Sequence, residues 1–185
     1  SSQSFQVDFY NGSAWSSVGT TTAANGPLSS QSFSRAWTVP SLDITNARFR
    51  VSFTDLAGNS STVQSSAFEI DSTAPSLSYS SPADGSYHLS STVITGNCEN
   101  GLPINISGDL QADFATTCSS GSFSQTINFS DNDGSKSITI NQVDPAGNST
   151  SVTRTFIRDE LAPTMAKTSG TSPDFTNQNT PNTWG

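Results

Sequence analysis

The chain is poor in helix-forming residues and in positive charge. Its 185 residues include two lysines, three glutamates, one methionine and one histidine. Serine and threonine make up roughly a third of the chain, a balance that favours short strands and tight turns over packed helices. A formal net charge of −8 argues against nucleic acid or an anionic membrane surface as partner. No apolar run approaches the ~20 residues that a membrane helix needs. One histidine, His88, without a second histidine, a cysteine cluster or an HExxH spacing, leaves no basis for zinc or histidine catalysis. No nucleophile elbow, phosphate-cradling glycine loop or dinucleotide fingerprint occurs, so the chain reads as a non-enzyme. It has neither an initiator methionine nor a signal-peptide pattern and is read as mature or excised material, which leaves export open.

What the chain does have is repetition. "TDLAGNSSTVQSSAFEIDSTAPS" runs from Thr54 to Ser76, and "VDPAGNSTSVTRTFIRDELAPT" from Val143 to Thr164. Asp55 and Asp144 are 144 − 55 = 89 positions apart, and Pro75 and Pro163 are 163 − 75 = 88 apart. The same spacing relates "YNGSAW" at Tyr10–Trp15 to "ENGLPI" at Glu99–Ile104, and "SSQSFS" at Ser29–Ser34 to "SSGSFS" at Ser119–Ser124. Four anchors in one order define a repeat of about ninety residues, a length that suits a domain rather than a solenoid unit.

Within each unit the apolar residues alternate. Phe5, Val7 and Phe9, then Phe33, Arg35, Trp37 and Val39, then Phe49, Val51 and Phe53 predict strands in the first. Phe123, Gln125, Ile127 and Phe129, then Ile138 and Ile140, predict their counterparts in the second. A period of two means one buried face and one wet face, and eleven Phe and three Trp supply the bulk for thin cores. Asn11-Gly12 marks a hairpin. The Ala-Gly-Asn stretches mark a chain reversal between the last two strands, where Gly58 and Gly147 take positive φ cheaply. The first unit has one more residue between Asp55 and Asp71 than the second has between Asp144 and Asp159. That excess predicts a bulge near Ser65 and Ser66.

Cys98 and Cys118 lie 20 apart, without a CxxC pattern, and are expected to form a disulfide, which points to an oxidising compartment. At the repeat spacing Cys98 falls on Phe9 and Cys118 on Leu28 or Ser29. The second unit is thus expected to close with a disulfide what the first closes with apolar contact.

These features predict an all-β chain of immunoglobulin-like sandwiches arranged end to end. The stretches "SFQVDFYNGSAWSSV", "RAWTVP", "ARFRVSFTDLAGNSS" and "FEIDSTAP" resemble tandem bacterial immunoglobulin-like domains of large surface and adhesin proteins. "TGNCENGLPINISG" through "IRDELAP" resembles their disulfide-containing relatives. The expected units are 1–74, lacking a first strand, 75–162 with the disulfide, and 163–185 as an incomplete third repeat. The resemblance implies a structural spacer in an exported bacterial adhesin, stalk or fibre, at the cell surface or outside the cell. Its partners would be neighbouring repeats. Two alternatives are a filament or sheath subunit that assembles with itself by strand donation, and a module binding a host or prey surface glycan or protein.

In families of this kind calcium stiffens domain junctions. The matching positions are Asp55, Asn59 and Asp71, then Asp144, Asn148 and Asp159. The competing reading is that these Asp residues cap turns. "DNDGSK" at Asp131–Lys136 starts like an EF-hand loop, but the twelfth position is Gln142 rather than Glu, so a hairpin turn is expected there. Trp15 and Tyr87 are the candidates for a ligand-stacking surface, whereas Trp37 is in phase with the core.

Overall fold

The structure, a computed structural model, describes residues 3–23, 33–55 and 57–165, and these are all strand and loop, with no helix among them. Strands β1 (Gln3–Tyr10), β2 (Trp15–Ala23), β3 (Ile44–Thr54), β4 (Ser60–Gln64) and β5 (Phe68–Ile70) form one antiparallel sheet. Its order is β2-β1-β3-β4, with β5 pairing the start of β3. Asn11 and Gly12 turn β1 into β2 as expected. Gly12 has φ 91°, and the Asn11 side-chain oxygen accepts from the backbone N–H groups of Ser13 and Ala14.

The alternation in β1 and β3 stacks Phe5 on Phe53, Val7 on Val51 and Phe9 on Phe49 along one face. Asp8 and Arg50 pair on the opposite face at 2.7 Å. The chain from Phe33 onward lies over the apolar face. Phe33 stacks on Phe5 with ring centroids 5.0 Å apart, and Trp37 contacts Phe9 at 4.7 Å and Phe49 at 4.9 Å. Residues 33–39 were expected to form a strand, and here the structure differs: they form no ladder. Phe33 and Trp37 face β1 as the alternation predicts, whereas Val39 is 60% exposed, and β1 already has β2 and β3 as its two backbone neighbours, which leaves it no edge for a third.

Residues 77–158 are built differently. Strands β6 (Leu77–Ser81), β8 (Ser91–Cys98) and β11 (Ser122–Asn128) form one sheet in the order β11-β8-β6. Strands β7 (Tyr87–His88), β9 (Pro103–Gly108), β10 (Phe114–Thr117), β12 (Gly134–Val143) and β13 (Ser149–Arg158) form the other, in the order β10-β9-β12-β13-β7. Ile94, Phe123 and Ile127 from the first meet Ile104, Ile106, Ile138, Ile140 and Phe156 from the second in one buried cluster. That is a sandwich. By the repeat spacing β1 corresponds to β8. Yet β8 pairs with β6 and β11, whereas β1 pairs with β2 and β3. Among the described residues no strand ahead of β1 plays the part of β6, and 33–39 does not pair as β11 does, so β1 takes its hydrogen bonds from β2 and β3.

The cores differ accordingly. Among the described residues, eleven buried ones cluster in the second half and three, Phe9, Ala47 and Ile70, in the first. At roughly 1.5–3 kcal/mol per large apolar side chain buried, most of the hydrophobic stabilisation that the described residues supply resides in 77–158. Cys98 and Cys118 join there in a disulfide, with Cα atoms 5.9 Å apart. Their expected counterpart contact through Leu28 lies outside the described residues, although Phe9 does pack against Trp37 and Phe49.

The extra residue of the first unit sits where the spacing placed it. Arg50 pairs with Gln64 and Ala47 with Phe68, so four steps on one strand oppose three on the other. Ser65 fills the gap by bonding twice to Phe49: its N–H donates to the Phe49 carbonyl and its hydroxyl accepts from the Phe49 N–H.

Candidate functional site: the junction between the repeats

The repeated Asp-x-Ala-Gly-Asn loops have one geometry. The Asp55 N–H donates to the Asn59 carbonyl, the Gly58 N–H donates to the Asp55 carbonyl, and Gly58 has φ 90°. Asp144, Gly147 (φ 94°) and Asn148 repeat both bonds. This is a three-residue hairpin loop in which glycine supplies the left-handed position. Each Asp carboxylate then closes its own loop. Asp55 accepts from the N–H groups of Ala57 and Asn59 and from the Asn59 amide. Asp144 accepts from the N–H and the amide of Asn148. The Asn59 amide, with these N–H groups, holds the Asp55 carboxyl below the usual carboxylate range. Burial pushes Asp144 upward, but the Asn148 side chain and backbone outweigh it and the net shift is also downward.

The linker Asp71–Pro75 is held from both sides. On the upstream side the Asp43 carboxylate accepts from the Ser72 N–H at 2.7 Å, the Ser72 hydroxyl at 3.2 Å and the Thr73 hydroxyl at 2.6 Å. On the downstream side the Asn148 amide donates to the Asp71 carbonyl at 3.0 Å, and the Thr150 hydroxyl to the Pro75 carbonyl at 2.6 Å. Pro75 is buried. Asp71 spends one carboxylate oxygen on the Thr73 N–H two residues on, which fixes the turn into the linker.

The second linker reproduces the upstream half of this arrangement. Asp159 accepts from the Leu161 N–H as Asp71 does from Thr73. Asp133 accepts from the Glu160 N–H as Asp43 does from Ser72. Asp43 and Asp133 stand at the repeat spacing, each directly before the strand that follows, and sequence reading missed both. The signal was present, but it lay in a pair of isolated Asp residues rather than in a shared phrase. Thr150 and Gln142 were missed as well. Gln142 is fully buried and bonds both ways to the Glu99 backbone, stitching the two sheets of the sandwich together near the linker.

The six residues offered as calcium ligands are thus distributed over separate turns. Asp71, Asp144 and Asn148 meet at the junction, Asp55 and Asn59 close a loop of their own, and Asp159 opens the second linker. Among the described residues no three acidic, histidine or cysteine side chains gather as a cation site. The oxygens of Asp55 and Asp144 accept from N–H donors of their own loops, as turn-capping carboxylates do.

The Asp131–Lys136 loop carries the chain from β11 in one sheet to β12 in the other, so it is a crossover between sheets rather than the hairpin turn expected there, and its acceptors are filled by the chain's own cations. Lys136 donates to the Ser130 hydroxyl and the Asp131 carbonyl. Buried Arg158 donates to the Ser130 carbonyl and to Glu160, and lies 3.7 Å from Asp131 and 4.0 Å from Asp133. Trp15 and Tyr87 lie on different strands and form no joint surface. Trp15 carries the Arg50 guanidinium over its ring at 4.3 Å and has Tyr10 beside it. Tyr87 stands exposed on β7, and its neighbour His88 turns inward onto Phe129 and Phe156.

The chain matches no protein-family model, and no curated protein shows significant similarity to it.

Proposed function

We propose that the chain is a non-enzymatic spacer of tandem immunoglobulin-like modules, covering 1–74 and 75–162 with 163–185 opening a third, from an exported bacterial adhesin, stalk or fibre. One observation carries this reading. A five-residue linker is gripped by hydrogen bonds from the unit before it and the unit after it, and the upstream grip recurs at the next linker. A joint bonded on both sides resists bending, and Ala-Pro adds a fixed φ and an extended predecessor. Holding distance is the task such joints serve. The two-sheet arrangement of residues 77–158 supports an immunoglobulin-like module, and the disulfide is compatible with an extracellular setting. The acidic, hydroxyl-rich surface keeps such an array soluble.

Small-angle scattering on the 185-residue chain tests the reading. A stiff series of modules gives a pair-distance distribution with a long tail and two separated maxima. Asn148→Ala combined with Thr150→Ala broadens that tail by loosening the joint. A single-peaked distribution of a compact particle, unchanged in the double variant, overturns it.

A further inference from the structure

The junction has two halves that recur separately at the two ends of the described chain. Asp55–Asn59 repeats the loop that receives a linker, but among the described residues its Asn59 amide donates only to Asp55, whereas Asn148 donates to both Asp144 and Asp71. Ser61 stands at the position of Thr150, and its hydroxyl has no partner among the described residues. Beside it lies an open apolar groove of about 430 Å³, lined by Phe5, Phe33, Val51, Phe53, Ser61 and Val63. Phe33 is 39% and Val63 70% exposed. In the second half the corresponding flank is covered: β6 follows the linker directly, and its Leu77 and Tyr79 pack onto the core.

At the other end, Asp159–Met165 repeats the segment Asp71–Leu77. Its upstream bonds are made, through Asp133 and its own Asp159, but its carbonyls find no counterpart of Asn148 or Thr150 among the described residues. Leu161 is 80% and Met165 99% exposed, and Met165 stands where Leu77 is packed. Among the described residues, an acceptor loop with spare donors and an open apolar groove thus stands in the same chain as a linker with spare acceptors and an exposed apolar residue.

We propose that these surfaces bind each other between two copies of the chain: Asp159–Met165 of one copy docks on the Asp55–Asn59 loop and the adjoining groove of the next. The Asn59 amide donates to the Asp159 carbonyl, the Ser61 hydroxyl donates to the Pro163 carbonyl, and Met165 enters the groove between Phe53 and Val63. The contact is heterologous, so it propagates head to tail and does not close a dimer. A seven-residue segment makes an interface well below standard size, so association is weak, with Kd on the order of 0.1–1 mM. This inference rests on the modular reading above. Scattering on dilute samples tests that reading alone.

Sedimentation equilibrium of the full chain up to about 1 mM tests the docking, at a concentration set by the weak affinity expected. The weight-average mass is expected to rise above the 19.4 kDa of the monomer as concentration increases. Val63→Asp and Met165→Asp each abolish the rise, and both sites are exposed enough for the substitutions to leave folding intact. A blocked peptide of residues 159–165, added to the Val63 chain at low concentration, shifts the Asn59 side-chain amide resonance and saturates. Added to Val63→Asp, it does not. A mass that stays monomeric, an assembly that survives both variants, or peptide-induced shifts lying away from Asn59 and Val63 overturns the proposal.

Discussion

The side-chain amide of Asn148 donates to Asp144 Oδ2 at 2.9 Å and to the Asp71 carbonyl at 3.0 Å, so one residue closes a hairpin loop and holds a linker. Asn59, its repeat partner, makes the first bond at 2.9 Å and no second one among the described residues. The same substitution therefore has two different effects. Asn148→Ala removes two side-chain bonds at a half-buried joint and is expected to cost about 1–3 kcal/mol, whereas Asn59→Ala costs about 0.5–1.5 kcal/mol. Chemical denaturation of both variants measures the difference. Equal losses would show that the bond to Asp71 adds nothing.

Depressed carboxylates, Asp8 beside Arg50 and four more at the loops and linkers, give the stability a defined pH dependence. The Thr73 hydroxyl and the Ser72 N–H depress Asp43, the Asn59 amide depresses Asp55, Asn148 depresses Asp144 against the opposing effect of burial, and Arg158 depresses Glu160. A carboxylate whose folded pKa lies below its unfolded value contributes stability that is fully present above the unfolded value. Here those ordinary values are 3.8 for Asp and 4.5 for Glu. The contribution is lost as pH falls through the depressed folded values. The unfolding temperature is expected to be level from neutrality to about pH 5 and to drop steadily below about pH 4. Asp43→Asn flattens part of that drop. An unfolding temperature that rises on acidification contradicts the assignment.

The disulfide acts on one half of the molecule. Cys98 ends β8 and Cys118 follows β10, so the bridge ties the sheet β11-β8-β6 to the loop leaving the opposite sheet. A closed loop of this length contributes roughly 3 kcal/mol by the chain-entropy estimate. Cys98→Ala with Cys118→Ala is expected to lower the unfolding free energy of residues 77–158 by about that amount. Protection of the β1–β3 amides from hydrogen exchange should stay unchanged. Loss of protection across β1–β3 would show that the two cores unfold as one.

How much of this was legible in the sequence depended on whether the signal was local. Alternation at Phe5, Val7 and Phe9 and at Phe49, Val51 and Phe53 marked the strands, because a two-residue period is a property of each segment by itself. The loop Asp55–Asn59 and the offset at Ser65 were equally local, and both are present as read. Pairing was not legible. The alternation of Phe33, Arg35 and Trp37 shows which side chains face a core but not whether the backbone finds a partner, and here β1 had already been taken on both edges. For the same reason the single sheet of the first half was not visible in a pattern that the second half folds into two. The grip of Asp43 and Asp133 on the linkers escaped because it joins lone Asp residues to backbone N–H groups almost thirty positions away, and backbone donors leave no trace in residue identity.

Two glycines allow the packing and the turn geometry to be tested with one kind of substitution. Gly96 lies on β8 between β6 and β11, paired with Tyr79 on one side and Phe123 on the other. A Cβ there would run into the Ser78 carbonyl oxygen, which belongs to the backbone of the neighbouring strand, and into the Phe123 ring. Neither has room to retreat, since Phe123 is buried and β6 is bonded along β8. Gly147 is the opposite case: nothing lies within 4 Å of its Cβ position, and only its φ of 94° resists a side chain. Gly147→Ala is therefore expected to cost about 1–2 kcal/mol, the backbone penalty of the left-handed region. Gly96→Ala overpacks a close strand approach and is expected to cost about 3 kcal/mol or more, beyond the backbone effect. Urea titration of both variants ranks the two costs. If Gly96→Ala proved the milder change, β6 would not lie against β8 at the separation described, and the covered flank of the sandwich, with Leu77 packed beside it, would have to be redrawn.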